Sequence, residues 1–307
     1  MHHLSRRDFL GQSAVTIGTL AATPGWAAPP VRKLTSGADE VTLGKTGIKS
    51  SLLGLGTGSV GVKHSSNQVK LGQEGFTKLV RHAYDSGIRY FDTADQYGSH
   101  IFLREAIRGL PRDRLFIQTK TRALTADVAK VDIQRFREEL EVDYIDSLLM
   151  HCMTKGTWPN DMQPVMDVLM EAKAKKWVRA IGVSCHGMAP LRAAVDCDWV
   201  EIDLARINPV GVKARMDGPP EEVVPCLKAM HEKGKGILGM KILGEGTFKT
   251  AEQQLESLRF VLGLGCVNAM VIGFEMTNSG GGMVHQEPAN NVVLVAQSVG
   301  MNTVRDK

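Results

Sequence analysis

Leu53 to Gly58 reads LGLGTG, a short apolar run merging into a cluster of glycines, and its spacing separates two ways of building an α/β protein. A doubly wound dinucleotide-binding sheet needs G-x-G-x-x-G between its first strand and first helix. Here the glycines fall at Gly54, Gly56 and Gly58, which does not fit that fingerprint. They read instead as residues easing a tight passage from strand to loop. Seven further apolar runs of strand length follow at 89–93, 115–119, 147–150, 178–183, 200–204, 237–240 and 269–272. Helix-period segments separate them at 74–86, 102–108, 131–141, 164–175, 188–195, 220–233 and 251–261. Strand followed by helix, repeated, imposes parallel pairing, and eight such strands close into a barrel. The sequence predicts an α/β fold, a (β/α)8 TIM barrel over 40–275 with a short N-terminal β-hairpin at Glu40 to Ser51. An open doubly wound sheet is the runner-up.

The first 27 residues stand apart. Arg6 and Arg7 in SRRDFL precede a mildly apolar run from Val15 to Ala22 and a small-x-small pattern at Gly25, Trp26 and Ala27, as in a twin-arginine signal peptide. Cleavage after Ala27 is expected, with 28–39 as a linker and 276–307 as a divergent tail. The leader implies the twin-arginine export machinery as a partner and a periplasmic or otherwise exported location. Its apolar run is too short for a permanent membrane span, and no other stretch is long enough. Lys and Arg total 37 against 33 Asp and Glu, a net charge of +4 spread along the chain, which argues against a nucleic-acid partner. Cys152, Cys185, Cys197, Cys226 and Cys266 form no CxxC pair and read as free thiols. His100, His151 and His186 show no HxH or HExxH spacing, so no metal is expected.

In a barrel of this kind the chemistry sits at the carboxyl ends of the strands. Those ends carry Asp92, Lys120, His151, Ser184, Arg206, Asn208 and Lys241. Tyr97, in YFDTADQYG (90–98), is the one tyrosine of four that falls in a loop just past a strand. A free phenol loses its proton at about pH 10, and a nearby ammonium would lower that value. Asp92 would hold Lys120 charged, and a histidine offers an N–H to a carbonyl oxygen. The set suits protonation of a carbonyl as a hydride reaches its carbon, or the reverse for an alcohol. Asp95 reads as a loop residue, and Arg135, Arg137, Glu138 and Glu139 as a solvated helix face.

At these residues the chain resembles the aldo/keto reductase family. FDTADQYG is similar to the family's FDTAxxYG signature, LGKTGIKSSLLGLGT to its opening hairpin and first strand, and VDYIDSLLMH to its fourth-strand segment. VRAIGVSCHG and LGMKILGEG extend the resemblance from about Val41 to Phe274. It implies Asp92, Tyr97, Lys120 and His151 as a catalytic tetrad, NADPH or NADH lying extended across the barrel mouth, and a small carbonyl or alcohol substrate. Cofactor contacts are implied at Gly56, Thr57, Ser184, Cys185, Asn208, Met240 and Lys241. Cys185 stands where the family often has Asn, Leu204 where a glutamine is expected, and Met240 where an aromatic usually stacks on the nicotinamide. Trp158, in the loop 152–163, is expected to line a hydrophobic substrate pocket. No Lys or Arg lies between Phe274 and Arg305, so a clamp for a 2′-phosphate is not visible. The alternative to a reductase is a catalytically weak nucleotide-binding barrel serving as a sensing or interaction module.

Overall fold

The computed structural model describes residues 34–273. The expected signal peptide, the first part of the expected linker and the expected divergent tail lie outside the described residues. Two short strands, β1 (Glu40–Thr42) and β2 (Lys49–Ser51), pair antiparallel as the expected hairpin. Eight more follow: β3 (Leu53–Gly56), β4 (Tyr90–Asp92), β5 (Phe116–Thr121), β6 (Ile145–Met153), β7 (Val178–Cys185), β8 (Ile202–Arg206), β9 (Gly236–Met240) and β10 (Ala269–Gly273). They form a closed parallel barrel in the order β10-β3-β4-β5-β6-β7-β8-β9. The helices are α1 (Gly72–Asp85), α2 (His100–Ile107), α3 (Ala126–Leu140), α4 (Trp158–Asp161), α5 (Gln163–Ala174), α6 (Met188–Asp196), α7 (Pro220–Glu232) and α8 (Ala251–Gly263). Among the described residues no helix is long and apolar enough to cross a membrane.

Side chains alternate along each strand, so one set fills the barrel and the other meets the helices. Tyr90, Phe116, Leu149, Ala180, Ile202, Leu204, Leu238, Ala269 and Val271 form the inner cluster, which Leu43 and Ile48 of the hairpin complete. The hairpin is therefore a floor: Lys45 donates its N–H to the Gly234 carbonyl at 2.7 Å, just ahead of β9. The end of the expected linker is also fastened, since the carbonyls of Gly37 and Asp39 accept from the amides of Leu53 and Leu52, each at 2.8 Å. Outward-facing residues pack with the helices into a larger apolar layer. Thr125 caps the start of α3, and Thr250 with Gln253 forms a capping box on α8, so both helices begin where side chains satisfy their free amides.

The glycines of LGLGTG work differently from the expectation. Gly54, Gly56 and Gly58 do not adopt positive φ, so the need is for space. A Cβ on Gly54 would lie 2.3 Å from the Tyr90 ring, and one on Gly58 would lie 2.2 Å from the Tyr97 ring.

Gly182 shows the same constraint against backbone, because a Cβ there would sit 1.8 Å from the Ile202 carbonyl oxygen on the paired strand β8. Gly182→Ala should therefore cost about 3 kcal/mol or more in urea unfolding. Gly263→Ala at the end of α8, where a Cβ would meet nothing within 4 Å, should be neutral or stabilise by up to about 1 kcal/mol.

Candidate active site

The mouth is built from the last inward residue of successive strands. On β5 the inward series Phe116, Gln118, Lys120 ends in an ammonium that is 1% exposed. Burying it requires a counter-charge. Lys120 Nζ donates to Asp92 Oδ1 at 2.6 Å and to the Thr93 carbonyl at 2.9 Å. Gln118 Nε2 donates to the same Asp92 oxygen at 2.8 Å and to Tyr90 Oη at 2.9 Å. Burial pulls the Lys120 ammonium down from its ordinary pKa, and Asp92 opposes that shift.

Tyr97 ends a single 3-10 turn, Asp95–Tyr97, directly after β4. Its ring lies against the backbones of Gly58 and Gly61, where no side chain could fit. Behind it runs a chain of buried hydroxyls. Thr57 Oγ1 donates to the Asp92 carbonyl at 2.9 Å, which fixes the order beyond it: Ser99 donates to Thr57 at 2.8 Å and Thr93 to Ser99 at 2.6 Å. The turn is also held from outside. Arg135 on α3 bonds Asp95 at 2.7 Å and Glu139 at 2.9 Å, while Glu139 bonds His100, whose other ring nitrogen meets Thr119 Oγ1 at 2.7 Å. Arg135 and Glu139 are thus a buttress for the Tyr97 turn and not the solvated face expected of them.

Lys120 Nζ lies 4.9 Å from the centre of the Tyr97 ring. The expectation that this ammonium lowers the phenol's pKa is not met. Burial, then the Asp92 charge, push Tyr97 well above its ordinary value. Asp92 already neutralises the ammonium, so little of its field remains for the phenol. Tyr97 is a protonated phenol near neutral pH.

His151 is 8% exposed and stands edge-on to Tyr97, ring centres 5.7 Å apart. The next residue, Cys152, has φ 64°, and the register with β7 shifts between Met150 and Met153. This irregularity breaks the alternation, so both His151 and Cys152 turn toward the mouth. Cys152 Sγ lies 2.9 Å from His186 Nδ1, which also receives Arg206 Nη2 at 2.5 Å. Arg206 Nη1 stands 3.5 Å from Asp217, whose Oδ1 accepts the Gly187 N–H at 2.8 Å. Burial and the surrounding cations, Lys120 first, hold His151 well below its ordinary pKa. Burial and Arg206 bring His186 down to about 3. Burial lifts Asp217 to about 6.

Asp92, Tyr97, Lys120 and His151 are thus brought together as expected. The residues expected around a cofactor divide. Met240 tops the inner cluster and remains partly exposed, and Lys241, ion-paired with Glu245, lies beside it. Gly56 lines β3 against Val271, and Ser184 Oγ accepts the Cys152 N–H at 3.2 Å. Thr57, Cys185 and Asn208 are wholly enclosed. Cys185 faces the helical layer, and Asn208 is used up by bonds to Ala214, Lys241, Val210 and Gly211. These three support the loops from behind the mouth. Trp158 does not line a pocket: it begins α4, is 2% exposed, donates to the Pro190 carbonyl at 3.1 Å and packs against Trp199. Sequence reasoning missed Gln118 as an inward residue, although the alternation that ends in Lys120 points to it, whereas Arg206 ends β8 at the mouth as expected. His186 and Asp217 carried no local signal.

The aldo/keto reductase family model matches residues 52–261, more than two-thirds of the chain, and the chain belongs to that family of oxidoreductases. NADPH-dependent codeinone reductase 1-3 of Papaver somniferum is 32% identical over 184 residues, covering 52% of this chain and 54% of that protein. NADH-specific methylglyoxal reductase of Escherichia coli is 24% identical over 168 residues, covering 47% and 51%. This chain spans about half the length of the curated relatives it matches. Among solved structures, aldo-keto reductase AKR11C1 of Bacillus halodurans superposes with a TM-score of 0.65 at 17% identity, over 85% of this chain and 95% of that one. At that identity the likeness concerns the fold alone.

His186 offers a direct check on the electrostatics. Its folded pKa of about 3 lies below the unfolded 6.5, so between those values the unfolded chain binds more protons. Stability then falls as the pH drops through that window. In urea unfolding at about pH 7 and about pH 4.5, His186→Gln should lose less stability on acidification than the wild type. Equal losses would show that His186 charges in the folded state.

Proposed function

We propose that this protein interconverts an aldehyde or ketone with its alcohol, using NADPH or NADH, and that Tyr97 exchanges the proton. One observation carries the reading. A protonated phenol at the barrel mouth lies against an ammonium fixed by Asp92 and edge-on to a histidine kept neutral.

The side chains fit a nicotinamide dinucleotide on one arc of the mouth. Met240 offers a soft apolar face for a ring. Arg206 and Lys241 offer cations for a pyrophosphate. Ser184 has its own hydroxyl proton to donate, since its oxygen accepts from Cys152. Relatives named for NADPH and for NADH support this class of cofactor. When bound there, the dinucleotide supplies or accepts the hydride. Tyr97 gives its proton to the carbonyl oxygen as that oxygen gains charge. The Lys120–Asp92 pair beside the ring holds the frame of Tyr97 in place as the proton leaves. His151, held neutral, donates an N–H hydrogen bond to the same oxygen and orients it. The reverse reaction returns the proton to Tyr97.

Replacing the phenolic oxygen removes the proton and leaves the ring in its slot. Tyr97→Phe should lower carbonyl turnover by about 10²- to 10⁴-fold, while dinucleotide binding, followed by fluorescence titration, is retained. Undiminished turnover in this variant would sink the assignment.

The location is part of the same proposal. SRRDFL and the small residues up to Ala27 support export of the folded protein by the twin-arginine machinery. Replacing Arg6 and Arg7 together by Lys should hold the protein in the cytoplasm on cell fractionation. Mass spectrometry of the exported wild type should find a nicotinamide nucleotide carried with it. Unchanged export of the double variant would refute the route.

A further inference from the structure

Four cations around the mouth are matched by carboxylates. Lys120 has Asp92, Arg206 has Asp217, Lys241 has Glu245 and Arg135 has Asp95. Arg122 is not. It follows the last residue of β5, two positions beyond Lys120, and so continues the inward series Phe116, Gln118, Lys120 over the barrel rim. Among the described residues its hydrogen-bond partner is a neutral amide: Nη1 donates to Gln96 Oε1 at 3.0 Å. Among the described residues no carboxylate lies within ion-pair distance of it. Gln96 is the residue before Tyr97, so this unmatched guanidinium is fastened to the turn that carries the phenol. Its field also reaches across to β6 and β7, where it helps to keep His151 and His186 neutral.

The barrel order sets a second condition. In the ring β10-β3-β4-β5-β6-β7-β8-β9, β5 is diametrically opposite β9. Met240 and Lys241, the open side chains suited to a dinucleotide, leave β9. Arg122 therefore lies on the arc that a dinucleotide on the β8 and β9 side leaves open, next to both Tyr97 and Cys152.

We infer that Arg122 receives an anionic group, a carboxylate or a phosphate, carried by the carbonyl substrate, and so selects for negatively charged carbonyl compounds. The inference rests on Tyr97 being the proton donor to that carbonyl. A guanidinium presents a planar fork that matches two oxygens of either anion. Accepting the anion costs Arg122 only a bond to a neutral, partly exposed amide. The anion, in turn, finds a cation fastened beside Tyr97 with no carboxylate within ion-pair distance among the described residues.

Two matched substrate pairs test this: carboxybenzaldehyde against benzaldehyde, and phosphoglycolaldehyde against glycolaldehyde, each at low ionic strength. The wild type should prefer the anionic member of at least one pair in kcat/KM, and the preferred pair identifies the anion. Arg122→Gln should reduce that preference about tenfold, mainly through KM. Arg122→Lys should restore part of it. A preference unchanged in Arg122→Gln, or no anionic preference in the wild type, overturns the inference. If no aldehyde is turned over, the reductase reading has failed, and the anion site is judged by calorimetric titration with benzoate and with inorganic phosphate. Binding that weakens in Arg122→Gln supports the site; equal or absent binding overturns it. Arg122 is exposed, and matching thermal melts of the variants will show that any loss reflects recognition.

Discussion

An ammonium enclosed in protein cannot stand alone, and the pairing of Lys120 with Asp92 is the constraint from which the mouth follows. Moving a lone charge out of water costs several kcal/mol even after relaxation. Lys120 is enclosed almost completely, so Asp92 has to be held within hydrogen-bond distance. That requires β4 and β5 to be neighbours in register, with Asp92 opposite Gln118. The Thr93 carbonyl and Gln118 then complete the shell. Once Asp92 is fixed, its own backbone carbonyl anchors Thr57, and the hydroxyl chain through Ser99 ties the first loop to the start of α2. Tyr97 lies between those two anchored segments. The ion pair thus acts on the phenol chiefly by fixing the frame around it.

Much of this was legible in the chain. Parallel strands buried on both faces read as unbroken apolar runs, and the intervening helices keep a 3.6-residue period, so all eight barrel strands and the hairpin could be read. Asp92, Tyr97, Lys120 and His151 were legible because each ends a strand or follows one. What escaped depends on distance in sequence or on direction in space. Thr57 meets Ser99 across 42 residues and Arg135 meets Asp95 across 40. No local pattern reports such pairings, so Thr57 read as a cofactor contact and Arg135 as a solvated cation. Trp158 read as a loop residue over a pocket, but Pro159 in the first turn lets a short helix start there and swing the indole against Trp199. The field of Lys120 was misjudged for a related reason. Sequence supplies the ammonium, but only coordinates show that it is spent on a carboxylate.

The irregularity at Cys152 has a comparable weight. A regular β6 would send residue 152 outward into the helical layer, away from His186. With one left-handed residue the strand presents two consecutive side chains to the mouth, His151 and Cys152. Burial raises the Cys152 thiol above its ordinary pKa, and it stays a neutral partner to His186. The row from Tyr97 through His151 and His186 to Arg206 therefore crosses the mouth with its positive charge confined to the far end.

The hairpin below has the widest consequence. Leu43 and Ile48 seal the amino ends of the strands against a filled interior, so the barrel is a cup. Whatever reaches Tyr97 must come and go through a single opening. The floor, far from any reacting atom, thus sets the side from which Tyr97 can be approached.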